Sequence, residues 1–251
     1  MRKIAFLDKP IKDANLREVV AGHGFDFVQP HSVQPRQGDL IAVHGVLRGN
    51  GDMIRQANEN QSDWLYVDNG YLGKYKRVLL NSTAPRYFRK GRRFEHDTQL
   101  QPWRGGSGSK IILLPPSPPY MDTFGSRDFL NEMAHSINIH TGKDIIVRAK
   151  PAKGRLARPW RDQLEEAYCV VTWGSALALD AMIMGVPTIS LGDCPAKFAS
   201  KKLSDLETNA MMIEPPRMEI IDSLTWSSFD KNELGKAYNI VKENEKHEPT
   251  T

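Results

Sequence analysis

Cysteine is scarce in this chain: Cys169 and Cys194 are its only two in 251 residues. They form neither a C-x-x-C pair nor a Cys/His spacing suited to zinc, so a zinc site is not expected and a reducing compartment fits. Long hydrophobic runs are missing as well. Nothing approaches the ~18 consecutive apolar residues of a membrane helix. The apolar part of the opening MRKIAFLDKP is too short for a secretory leader. A soluble, cytoplasmic protein is therefore expected, with no membrane span.

What is present is enough for a sizeable core. With 251 residues and 40% hydrophobic content, the chain fits one large domain or two small ones, and two are favoured. The formal charge is only +4, a weak statement about partners, but its distribution is uneven. From Lys74 to Lys110 there are ten Lys and Arg against two acids, Glu95 and Asp97. A second cluster, Arg148, Lys150, Lys153, Arg155, Arg158 and Arg161, spans fourteen residues without a carboxylate. Either cluster suits phosphates, and either equally suits a solvated basic surface.

Short β-like runs alternate with helix-like ones. Strands are expected at 3–7, 25–29, 39–44, 64–67 and 77–80, with helices at 11–21 and 51–60. That rhythm winds a parallel sheet with helices on its faces. It breaks at PWRGGSGS (102–109), where Gly and Ser dominate, and a domain boundary is placed near residue 108. Beyond it, strands are expected at 110–114, 144–147, 169–172 and 186–191, with helices at 127–139, 158–167 and 229–245. The expectation is two α/β, Rossmann-like domains, 1–108 and 109–251, with a cleft between them.

The segment VVTWGSALALDAMIMGVPTISLG (170–192) carries the chemistry. Thr172, Trp173, Gly174 and Ser175 fall where a buried strand ends and a helix begins. Ser175 suits an N-cap, and Gly174 lets a ligand come close to the backbone. In a parallel α/β sheet ligands bind at that strand end, and a helix N-terminus offers N–H groups to an anion. Asp180 then stands out as one carboxylate in a helix that is apolar almost all round. It either accepts from a ribose diol or pairs with an Arg or backbone donors inside the core, because unpaired burial costs several kcal/mol.

The pattern T-x-x-S-A-L-A-L-D-A-M-I-M-G-V-P-T-I (172–189) resembles the donor-binding segment of GT-B glycosyltransferases and their sugar-nucleotide relatives. In those families a small residue and Ser open the helix, an acid follows, and G-x-P closes it. Here these are Gly174, Ser175, Asp180 and Gly185–Pro187; the acid is one methylene shorter than the usual Glu. The resemblance covers about residues 110–192. It implies a nucleotide-sugar donor of the UDP-sugar type, with the basic residues of IIVRAKP (145–151), Arg148 and Lys150, neutralising the diphosphate as it leaves. There is no D-x-D pair, and no cofactor or metal is implied as required.

In this architecture the first domain holds the acceptor and, for inversion, a general base. Asp68, closing WLYVDNG, ranks slightly above His44, closing DLIAVHG; each also has an ordinary structural reading as turn former or strand-end residue. Arg86, Arg89, Lys90, Arg92, Arg93 and Trp103 interleave charge with aromatic rings, as in a nucleic-acid contact surface or an interdomain lid. Two basic clusters exceed what a donor needs unless the acceptor is anionic. The specific expectation is therefore a phage-type enzyme that glycosylates a hydroxymethylated pyrimidine in DNA. The alternatives are a transferase acting on a surface polysaccharide or small molecule, an epimerase or hydrolase of the same architecture, and a noncatalytic nucleic-acid-binding protein.

Overall fold

The structure, a computed structural model, describes residues 1–7, 10–125, 128–149 and 160–246. The chain divides into two compact units, 1–87 with 224–251 and 88–223. Each is an α/β unit around its own sheet.

In the first unit the strands are β1 (Lys3–Phe6), β2 (Asp26–Val28), β3 (Leu40–His44), β4 (Asp63–Asn69), β5 (Lys76–Leu80) and β10 (Ser228–Phe229). They lie in the order β10-β5-β4-β3-β1-β2. Parallel pairing holds from β2 through β1 and β3 to β4, and β3, the middle of that block, is buried at every residue. Helices α1 (Pro10–Val20) and α8 (Leu234–Lys246) cover one face, packing Leu16, Val19, Ala237 and Val241 on Ala42, Leu65, Val67 and Val78, and α2 (Asn50–Glu59) connects β3 to β4. The parallel rhythm does not extend to β5, which returns antiparallel to β4. The turn at 70–75 is too short to carry a crossover helix, so only a hairpin is possible.

The second unit holds β6 (Lys110–Leu114), β7 (Ile145–Val147), β8 (Ala167–Thr172) and β9 (Thr188–Ser190), all parallel, in the order β7-β6-β8-β9. Ile111, Leu113, Cys169 and Val171 pack on Phe129, Met133 and Ile137 of α4 (Phe129–His140). On the opposite face Ile112, Leu114 and Val170 meet Leu164 of α5 (Trp160–Glu165) and Ala181 of α6 (Leu177–Ile183). Both faces are covered, which is why these strands read as continuous apolar runs. Both parallel blocks share one strand order, second-first-third-fourth, so each has a switch point between its first and third strands.

The units divide elsewhere than near residue 108. The chain leaves the first unit at Tyr87 and returns to it at Leu224. PWRGGSGS is not a linker, because its backbone is fastened to the second unit. Gln101 N–H donates to the Ile183 carbonyl at 2.9 Å, Arg104 N–H to Gly185 at 2.8 Å, and Ser109 N–H to Glu166 at 3.1 Å. The Arg104 guanidinium also caps the Leu164 and Glu165 carbonyls at the end of α5. After 223, β10 pairs with β5, so the end of the chain builds the first unit. Two helices escaped the sequence pattern, α3 (Pro118–Phe124) and α7 (Arg217–Leu224), each preceded by prolines.

Candidate functional site

The carboxyl edge of the second sheet gathers the residues expected to hold a donor. At its switch point, Thr172 ends β8 beside Leu114, which ends β6. The buried Thr172 hydroxyl donates to the Leu114 carbonyl at 2.8 Å and accepts the Ser175 N–H at 3.1 Å. One side chain thus ties the two diverging strands to the turn that follows. The motif from 172 to 189 becomes strand, turn, helix, turn, strand, as its sequence pattern requires.

Details of that turn differ from the sequence expectation. Ser175 does not cap the helix as N-cap: Ala176 holds that position, and the Ser175 hydroxyl accepts the Leu177 N–H at 3.3 Å. The N–H groups of 175, 177, 178 and 179 are all engaged within the turn, so they are not standing free for an anion. The approach to Gly174 is filled by protein. A Cβ there would lie 2.8 Å from the Tyr120 hydroxyl and 2.9 Å from the Asp193 carbonyl. Tyr120 comes from α3 and leans on Phe124, and its hydroxyl donates to the Asp193 carbonyl at 3.4 Å.

Asp180 is not buried. It sits on the exposed side of α6, whereas Ala178, Leu179, Ala181 and Met182 face the core. A seven-residue helix lying on a sheet hides only one side, and position 180 is turned outward. Its surroundings still withdraw enough water to push its carboxyl pKa up, against the pull of Arg161. Arg148 lies just past the end of β7, with its guanidinium 5.3 Å over the Trp160 ring and 2.5 Å from Gln163 Oε1. Lys150 lies outside the described residues, as do Lys153, Arg155 and Arg158. Lys197, which the sequence reading passed over, follows β9 on the same edge and pairs with Asp193 at 3.4 Å.

The first unit's candidates end adjacent parallel strands. His44 pairs in register with Val67, so Asp68 is offset from it by one residue along the neighbouring strand. His44 is buried, and its carbonyl accepts from the Asn50 amide at 3.0 Å. Asp68 is partly exposed and heavily engaged. Arg77 approaches its Oδ2 at 3.1 Å, Tyr66 donates to the same oxygen at 2.8 Å, and the Asn69 N–H donates to Oδ1 at 2.8 Å. Burial pushes the Asp68 pKa up, but the Arg77 charge, the Asn69 and Tyr66 donors and nearby His44 outweigh it and hold the carboxyl below its usual range.

The six residues of the expected nucleic-acid surface are split between units, Arg86 on the first and the other five on the second. Arg86 stands 3.6 Å from Glu245, and Arg92 pairs with Glu95 at 2.7 Å. Arg93 lies 5.0 Å over its neighbour Phe94, Lys90 is exposed, and the Arg89 N–H donates to the Ser223 hydroxyl at 2.8 Å. Trp103 is not a free stacking platform: its indole donates to the Met212 carbonyl at 3.1 Å, and the Arg217 guanidinium lies 5.3 Å over its ring.

No family model matches the chain, and no curated protein matches it in sequence. Several solved structures are similar to it, among them two KpsC transferases. The first is Thermosulfurimonas dismutans KpsC, beta Kdo 2,4 transferase, at 12% identity and a TM-score of 0.36, covering 83% of this chain and 89% of that one. The second is Thermosulfurimonas dismutans KpsC, beta Kdo 2,7 transferase, also at 12% identity, with a TM-score of 0.45 and coverage of 97% and 100%. Among the described residues no helix is long and apolar enough to cross a membrane.

Proposed function

We propose that the chain is a glycosyltransferase that moves a sugar from a nucleotide-sugar donor to an acceptor hydroxyl. The observation that carries the reading is the Thr172–Ile189 segment. Its residue pattern resembles a GT-B donor segment, and it lies at the carboxyl end of a parallel sheet, at the switch point where such sheets receive ligands. In this reading Ser175 and Asp180 line the donor site, Gly174 shapes the turn beneath Tyr120, and Arg148 with Lys150 supplies positive charge to the phosphates. As the glycosidic bond breaks, negative charge grows on the leaving nucleotide, and fixed cations favour that state over the bound donor. No metal is assigned a role.

Asp68 takes the acceptor's proton, with His44 as the second choice for that role. The accessible carboxylate is the better placed of the two, because a base must reach the hydroxyl it deprotonates. Its lowered pKa keeps it ionised and ready at neutral pH, at some cost in intrinsic basicity. The acceptor expected from sequence, a hydroxymethylated pyrimidine in DNA, rests on Arg86, Arg89, Lys90, Arg92, Arg93 and Trp103. Because Trp103 is already held and Arg86 and Arg92 already sit beside carboxylates, no specific contact favours DNA over a polysaccharide.

The test is a thermal-shift screen against nucleoside mono- and diphosphates of each base and their sugar conjugates. A ligand at 100 times its Kd stabilises the native state by about 2.7 kcal/mol. The best ligand is then supplied as donor to hydroxymethylated DNA and to oligosaccharide acceptors. Binding that weakens in Arg148→Ala, together with transfer to either acceptor, is the expected result. No nucleotide binding, or binding indifferent to Arg148→Ala, overturns the donor site. DNA binding without nucleotide binding would favour the noncatalytic alternative.

A further inference from the structure

Arg77 is a largely buried cation that the proposed chemistry does not yet use. The β4–β5 hairpin sets it directly opposite Asp68, and its side chain is only 12% exposed. Its guanidinium lies over two aromatic rings, 5.2 Å from the centroid of Tyr66 and 4.7 Å from that of Tyr71. Tyr71 is itself anchored, its hydroxyl donating to the Thr83 carbonyl at 2.8 Å. From there Arg77 Nη2 reaches Asp68 Oδ2 at 3.1 Å and the Tyr66 hydroxyl at 3.5 Å. Its Nε is buried without a hydrogen bond among the described residues.

Such an arrangement is costly as scaffolding. Burying a guanidinium with an unsatisfied N–H loses hydration that a hydrophobic side chain at the same place would not forfeit. What it secures is asymmetry at Asp68. Oδ2 is held twice, by Arg77 and by the Tyr66 hydroxyl, whereas Oδ1 accepts, among the described residues, from the Asn69 N–H alone.

We propose that Arg77, held over the rings of Tyr66 and Tyr71, is a positioning residue that immobilises Asp68 Oδ2 and presents Oδ1 to take the acceptor's proton. The inference rests on Asp68 being the base of the transferase. The proton passes from the acceptor hydroxyl to Oδ1, the freed oxygen bonds to the anomeric carbon, and the donor's C–O electron pair leaves with the nucleotide. Asp68 afterwards releases the proton to solvent. The groups around this carboxylate are Arg77 on β5, Tyr66 and Asn69 on β4 and His44 on β3.

The pH profiles of kcat and of donor KM are compared for wild type, Arg77→Met, Arg77→Lys and Tyr66→Phe, with Tm as a check of folding. An Arg beside a carboxylate lowers its pKa by about 1–3 units, so Arg77→Met should move the acid limb of kcat upward by that amount. Misplacing the base should also cut kcat roughly 10- to 100-fold. Donor KM should not change. Arg77→Lys keeps the charge but not the fork and should restore part of the loss, and Tyr66→Phe should shift the limb in the same direction by less. Should Arg77→Met fail to fold, the other two variants decide. An active wild type with unshifted acid limbs in the folded variants overturns the role of Arg77 and leaves the transferase standing. A wild type that binds no nucleotide and transfers nothing overturns both.

Discussion

Replacing Thr172 by Val tests whether one hydroxyl holds the donor-side switch point together. Valine keeps the shape and burial but removes the group that donates to the Leu114 carbonyl at 2.8 Å and accepts the Ser175 N–H at 3.1 Å. Leu114 is buried, so its carbonyl loses a partner that water cannot replace, a cost of about 1–3 kcal/mol. Ser175 is half-exposed, and water recovers part of its loss, leaving roughly 0.5–1.5 kcal/mol. The expected destabilisation is therefore about 1.5–4.5 kcal/mol. Thr172→Ser keeps the hydroxyl and loses one methyl, about 1 kcal/mol. In urea unfolding with a slope of about 1–3 kcal/mol per molar, Val lowers the midpoint by roughly 0.5 M or more, and Ser lowers it by less. Trp173 adjoins the turn and packs edge-on to Phe129, so its fluorescence follows this unit. Equal losses in the two variants, or a Val variant within about 0.5 kcal/mol of wild type, would mean that packing, not the hydroxyl, holds the switch point. A folded Thr172→Val protein should also bind the best nucleotide more weakly than Thr172→Ser, because Ser175 is no longer fixed.

Two further outcomes follow from the geometry. Gly185 has φ +78°, and a Cβ there would stand 2.0 Å from the Pro102 carbonyl, so Gly185→Ala incurs both backbone strain and a clash. A loss of about 2–5 kcal/mol is expected, from about 1–2 for the left-handed backbone and about 1–3 for overpacking; denaturation showing less than about 1 would refute it. Asp68 has a lowered folded pKa, so its ionised form stabilises the fold above the ordinary carboxylate range, and that contribution is lost as pH falls through the lowered value. Asp68→Asn should thus be less stable than wild type at neutral pH and converge with it in strong acid. A stability gap constant across that titration range would show that the carboxylate's charge is not what matters.

Local signals in the sequence were enough to set most of the elements and to place the candidate donor motif among them. Apolar runs such as KIILL and CVVT could only be strands covered on both faces, and the T-x-x-S…G-x-P pattern fell on strand, turn, helix and strand because each of those signals is local. Gly185 was legible as part of that pattern, although the reason for it, the Pro102 carbonyl against its α-carbon, lies 83 residues away in the chain. Which groups meet, and which face each residue takes, depended on packing between distant parts of the chain. Asp180 looked buried because its neighbours are apolar, but a helix resting on a sheet hides one side, and the docking angle that turned position 180 outward is set by distant contacts. Tyr120 against Gly174 and Arg77 against Asp68 depend on how a helix lands and how a hairpin folds back. The division into units likewise depended on hydrogen bonds from the Gly-rich belt and on β10 returning to β5. Periodicity encodes the conformation of neighbouring residues; pairing and burial are set by packing across the whole chain, which no short window contains.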